Sequence, residues 1–113
     1  MRTRVWGAVL VAAATVACGG GPLTEGESAF RAGRYPPAKQ TFASLEGESP
    51  GWDLATRAEY ALYRGLTLAA LGDQGHAAPW LDYAKAVEDA RPGTLRDEDA
   101  RRLAVERDAN PPR

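Results

Sequence analysis

Hydrophobic positions divide the chain into one unbroken apolar run and, after it, a series of short periodic stretches. Val5 to Ala17 carries no charge and follows Arg2 and Arg4. It falls short of the roughly 20 residues that a membrane-spanning helix needs. Downstream, apolar residues recur at helical spacing. Thr24-Glu25-Gly26-Glu27 has the form of a capping box and predicts a first helix to about Ala32, stopped by Gly33. Pro36-Pro37 turn the chain and start a second helix, whose Ala38, Phe42 and Leu45 fall at i, i+4 and i+7. Glu46 to Gly51, with Gly47 and Pro50, cannot continue it. Asp53 caps a third helix with a broad apolar stripe through Leu54, Ala58, Ala61, Leu62, Gly65, Leu68 and Ala69 to Leu71, ended by Gly72-Asp73. A fourth opens at Gly75 or His76, with Pro79 in its first turn and Ala77, Leu81, Ala84 and Val87 or Glu88 on one face, and stops at Pro92-Gly93. Thr94-Leu95-Arg96-Asp97 reads as the cap of a last, mostly polar helix through about Asp108. Five helices, short turns and no strand alternation predict an all-α fold of antiparallel helical hairpins.

The basic start, the apolar run and the small residues before Cys18 resemble a bacterial lipoprotein signal peptide, with Thr15-Val16-Ala17-Cys18 as its lipobox. The resemblance implies a leader over residues 1–17, cleavage before Cys18, and acylation of that cysteine. Several buried acyl chains make an anchor effectively permanent, at about 0.8 kcal/mol per CH2. Thr15 stands where leucine is usual, so ordinary cleavage with a free thiol, or retention as an uncleaved anchor, remains open. By similarity to Gram-negative lipoproteins, Gly19 after the cysteine favours the outer membrane, facing the periplasm. Residues 18–23, with Gly19-Gly20-Gly21-Pro22, then form a short tether, residues 24–109 the helical domain and residues 110–113 a tail. Fully extended, the tether reaches only about 20 Å, which keeps the domain near the lipid surface.

Composition narrows the chemistry. Beyond the leader the chain makes one small domain, near the lower size at which a single core suffices. Acidic residues slightly outnumber basic ones over the 113 residues, 15 to 14, and no basic run marks a nucleic-acid-binding face. One Cys and one His build neither a disulfide nor a zinc site, and acylation accounts for a solitary exported cysteine. No metal, cofactor or catalytic residue is assigned. His76 lies at a turn and reads as a helix-start residue without a nucleophile motif beside it. Asp97, Glu98 and Asp99 suit the positive end of a helix dipole, and nothing fixes the separation of Glu46 and Glu48.

An internal comparison adds a second resemblance. Gly26, Gly33 and Ala38 superpose on Gly65, Gly72 and Ala77, 39 residues later, and an apolar residue follows each alanine at four, Phe42 or Leu81. This spacing resembles the tetratricopeptide repeat. In that family the first glycine permits close packing within the hairpin, the second sits in the turn, and the alanine lies where helices nearly touch. Leu45 and Ala84 occupy the later small or apolar site. The copies depart from the family in three ways: the period exceeds its about 34 residues, which puts an insertion around Glu46 to Trp52; Glu25 and Arg64 replace a leucine; and Ala61 replaces a large residue. About two repeats are marginal alone, so the last helix is expected to cap the stack, and self-association to supply the rest if needed.

The resemblance implies a concave groove lined by the first helices of successive hairpins. Carried over by position, that surface comprises Glu27, Phe30 and Arg31, then Glu59, Leu62, Leu66, Ala69 and Ala70, and suits an extended or helical segment of another protein. Leu62 and Leu66 are equally compatible with burial under the last helix. Trp52, Tyr60, Tyr63, Trp80 and Tyr83 cluster around the second repeat; each either completes a thin core or marks a contact surface. The implied function is a membrane-anchored interaction module that assembles or stabilises an envelope complex. The alternative is a homo-oligomeric structural lipoprotein with an empty groove.

Overall fold

The computed structural model describes residues 21–111; the leader, Cys18, the first residues of the tether and the end of the tail lie outside it. Five helices follow one another: α1 (Gly21–Arg31), α2 (Tyr35–Ser44), α3 (Leu54–Ala70), α4 (Gln74–Ala90) and α5 (Asp97–Ala109), with a 3-10 turn at Ser49–Gly51. The fold is all-α, with no strand among the described residues. α1 packs on α2 and α3 on α4 as two hairpins; α3 also packs on α2, and α5 rests on α3 and α4.

The two hairpins share their turn and their closest packing positions at a 39-residue offset. Gly33 and Gly72 hold φ of 78° and 84°, backbone angles that favour glycine. Around each, the helix ends in the same pair of bonds: the Arg34 amide donates to the Ala29 carbonyl (2.8 Å) and Gly33 to Phe30 (2.9 Å), as Asp73 does to Leu68 (2.9 Å) and Gly72 to Ala69 (2.9 Å). These Schellman pairs satisfy carbonyls that a helix end would otherwise leave unpaired. Across each hairpin a glycine lets the helices approach. A Cβ at Gly26 would lie 2.7 Å from Phe42 Cε1, and one at Gly65 2.7 Å from Leu81 Cδ2. Ala38 and Ala77 are fully buried.

Helix starts differ from the sequence expectation at four places. α1 begins at Gly21, so Thr24 lies inside the helix rather than capping it, and Gly21, Pro22 and Leu23 are helical rather than tether. Pro22 has a pre-set helical φ and loses nothing by lacking an N–H in the first turn, while Leu23 packs against the core. Asp73 does more than end α3: its carboxylate caps α4 by accepting from the His76 amide. Pro79 sits in the second turn of α4 rather than the first, where its missing N–H removes a helical hydrogen bond. The N-cap of α5 is Arg96, without a side-chain bond, because the Thr94 hydroxyl donates back to the Arg91 carbonyl. The loop before α5 is closed by Glu88, whose carboxylate accepts from the Gly93 and Leu95 amides at 2.8 Å each.

Around the inserted loop, Tyr60 organises an aromatic cluster. Its ring meets Phe42, Trp52 and Trp80 edge-on at 6.1, 5.4 and 5.7 Å, a favoured arrangement for aromatic quadrupoles. Its hydroxyl donates to the Phe42 carbonyl (2.7 Å) and accepts from Arg64 (2.9 Å). Arg64 also pairs with Glu46 of the loop at 3.0 Å and lies 4.4 Å over the Trp80 ring. Arg64 thus ties the inserted loop to α3 and α4, while the Tyr60 hydroxyl reaches α2. At the other end of the stack, Leu95 and Leu103 bring α5 and its leading loop into the same core as Leu62 and Leu66.

Candidate functional site

α1, α3 and the start of α5 enclose a cavity of about 440 Å³. Each contributes a carboxylate: Glu27, Glu59 and Asp99. Glu27 is 4% exposed and Asp99 1%, whereas Glu59 is half-buried. Arg31 follows Glu27 by one turn and lies 3.7 Å from it. Arg96 lies 3.7 Å from Glu59 and 3.6 Å from Asp99. Tyr63, buried on α3, joins all three elements. Its hydroxyl donates to Asp99 Oδ1 at 2.7 Å and accepts from Arg31 at 3.1 Å.

Burial and proximity perturb these groups strongly. Desolvation, then the hydrogen bond and charge of neighbouring Glu59, push the Glu27 carboxyl up to about 9, with Arg31 opposing. Glu27 is therefore protonated at neutral pH, since two adjoining carboxylates favour sharing one proton. Glu27 Oε2 is buried and no N–H reaches it. Burial, then Asp99, raise the Tyr63 phenol to about 12, which keeps it a donor.

Among the residues assigned to the groove from sequence, Glu27, Arg31 and Glu59 do converge on this cavity. The apolar members do not line it. Leu62 is fully buried and Leu66 nearly so, in the core shared with α5. Phe30 is half-buried, edge-on to Tyr63 at 5.6 Å, and with Leu66 borders a separate hollow beside α5. Ala69 is half-buried and Ala70 exposed near the end of α3. Of the structural positions, Gly26, Gly33, Ala38, Gly65, Gly72 and Ala77 occupy equivalent places in the two hairpins.

Sequence reasoning missed Asp99, Arg96 and the role of Tyr63. Asp99 sits among three first-turn acids that a helix dipole already explains, and nothing local distinguishes the one that points inward. The aromatics divide: Tyr60 and Tyr63 are core, Trp52 and Trp80 half-buried, and Tyr83 is 37% exposed. His76 is exposed and its ring contacts Asp73 at 2.9 Å, part of a helix start. Glu46 is engaged by Arg64. Among the described residues no group of three or more His, Cys, Asp or Glu is disposed to hold a metal ion, and no helix is long and apolar enough to cross a membrane. The cavity offers three carboxylates against two flanking guanidinia, an arrangement suited to recognising a polar or cationic group. No known protein family, curated protein or solved structure matches the chain.

Proposed function

We propose that the chain is a lipid-anchored interaction module of tetratricopeptide type, which holds a segment of a partner in the groove between α1, α3 and α5 and thereby supports a membrane-proximal complex of the cell envelope. Recognition and tethering are its mechanism, without chemistry. The observation that carries this reading is the duplicated hairpin. Gly26 against Phe42 and Gly65 against Leu81 repeat at one offset, which sets the first helices of both hairpins beside α5 around a polar cavity. The address is read from the Cys18 motif: acylation there would hold the domain at the outer membrane, facing the periplasm of a Gram-negative cell. A modest groove affinity then suffices, because anchoring raises the local concentration of both partners.

Two measurements test it together. Intact mass spectrometry of protein from its native membranes, beside Cys18→Ala, is expected to show loss of residues 1–17 and acyl chains that the variant lacks; an unmodified thiol defeats the anchor. A photo-crosslinking residue at Thr24, on the cavity, is expected to capture a partner in those membranes where one at Tyr83 does not.

A second reading, self-association, is favoured by one feature. Tyr60, Trp80, Tyr83 and Pro79 line an apolar hollow of about 310 Å³ on α3 and α4. Sedimentation that stays monomeric across a wide concentration range removes it.

A further inference from the structure

The cavity between α1, α3 and α5 holds three carboxylates whose acceptor capacity its own donors leave incomplete. The Tyr63 hydroxyl serves one oxygen of Asp99. Arg31 and Arg96 stand 3.6 to 3.7 Å from the carboxylates, beyond hydrogen-bond distance, and so supply charge without a close N–H. Glu27 Oε2, on a side chain 5% exposed, has no N–H partner and borders the cavity. Its neighbour Glu59 is a second acceptor. Both carboxyls line the cavity and share a hydrogen bond, and the place of its proton is where another small cation with several donors would be held.

We infer that this cavity is a binding site for a primary ammonium, the side-chain terminus of a lysine in the partner segment, with Glu27, Glu59 and Asp99 as its acceptors. The inference rests on the groove proposed above and names the side chain it selects. An ammonium carries three donors on a compact charge and can serve acceptors arriving from three helices, whereas a planar guanidinium is matched by one carboxylate met edge-on. Thr24, Thr56 and Thr94 add polar lining near the acids. The volume of about 440 Å³ admits the four-carbon stem.

Charge balance favours the exchange. With Glu27 protonated, Glu59 and Asp99 are offset by Arg31 and Arg96. An entering ammonium displaces the Glu27 proton, so the cavity's total charge is unchanged and no additional net charge is buried. The charged and titratable groups facing Glu27 are Arg31 on its own helix, Glu59 and Tyr63 on α3, and Arg96 and Asp99 at the start of α5. The Arg96 guanidinium and the Tyr63 phenol, both raised by their surroundings, keep their protons through neutral pH, which leaves the Glu27 carboxyl to give one up.

The test uses the full-length chain and a blocked alanine pentapeptide with a central lysine, beside the same peptide carrying Nε-acetyl-lysine. Calorimetry in two buffers of different ionisation enthalpy at about pH 7 is expected to show binding of the lysine peptide with about one proton released. Acetylation is expected to abolish binding, and Glu27→Gln to weaken it by about tenfold or more. Glutamine copies the shape of a protonated glutamate, so that variant is expected to fold; Glu59→Gln provides the same test should it not. Equal binding of the acetylated peptide, unchanged affinity in both variants, absence of proton release, or no binding of the lysine peptide overturns the ammonium site. Partner capture at Thr24 that persists in Glu27→Gln would then show the groove reading surviving without it, while loss of capture from wild type defeats the groove itself.

Discussion

A carboxyl kept protonated by its surroundings reverses the usual dependence of stability on pH. Glu27 is raised from 4.5 to about 9 in the folded chain, so between those values the unfolded chain has released a proton that the folded one retains. Its contribution is fully present below about pH 4.5 and is lost progressively as pH rises toward 9. Glu27→Gln has no such proton, so urea denaturation over that range is expected to show the variant gaining on wild type as pH rises. Parallel pH profiles would refute the shared proton. A second residue-scale prediction concerns Gly65. A methyl there meets Leu81 side-chain carbons at 2.7 Å and the Leu81 backbone nitrogen at 3.3 Å. Overpacking of about 1–3 kcal/mol outweighs the roughly 1 kcal/mol that alanine gains over glycine in a helix. Gly65→Ala should therefore lower the denaturation midpoint. At Gly26 the clash falls on the end of the Phe42 ring, which can shift more readily, and the loss should be smaller. Both glycines were legible from their spacing alone. The protonation of Glu27 was not, because it needs Glu59 and burial, neither of which is local in sequence.

Among the elements, the turns were the most readable parts and the helix starts the least. Gly33 and Gly72 occupy left-handed positions where other residues are strained, and Asp53 caps α3 as expected, accepting from the Thr56 amide at 2.8 Å. Starts are ambiguous because several nearby residues can cap. Thr24 lost to a helix already running from Gly21, and Thr94 to its own bond with Arg91. Pro79 shows tertiary packing overriding propensity. Its ring lines the hollow beside Tyr60 and Trp80, on a helix anchored by buried Ala77 and Leu81, so the helix continues despite a missing bond. Pro79→Ala is expected to stabilise the chain by about 1–3 kcal/mol, read as an upward shift in the thermal midpoint. A fall would mean that the ring's packing outweighs the hydrogen bond it forbids.

Across the molecule as a whole, α5 decides what the stack can do. Its sequence is polar, yet Leu103 is 4% exposed and Asp99 1%, and Arg107 pairs with Asp82 of α4. α5 thereby buries Leu62 and Leu66 and encloses the carboxylates. Leu103→Ala is expected to cost about 2–4 kcal/mol in chemical denaturation. It should also raise the exposure of Tyr63, read from the rate of its chemical acetylation, located by peptide mass spectrometry. A loss well under 1 kcal/mol would mean that α5 is not seated on α3.

Residue pattern was enough to define the all-α class, the five helices, and two hairpins related by one 39-residue offset. These come from periodic burial, turn glycines and small residues at close approaches, all of which act over a few residues. Which of the positions assigned to a groove are open was settled by packing between distant segments. Leu62 and Leu66 went into the core, Glu27 was drawn in with them, and Tyr63, Arg96 and Asp99 joined it. That outcome turned on where a weakly amphipathic helix docks, and on the desolvation and charge that its docking imposes on residues tens of positions away.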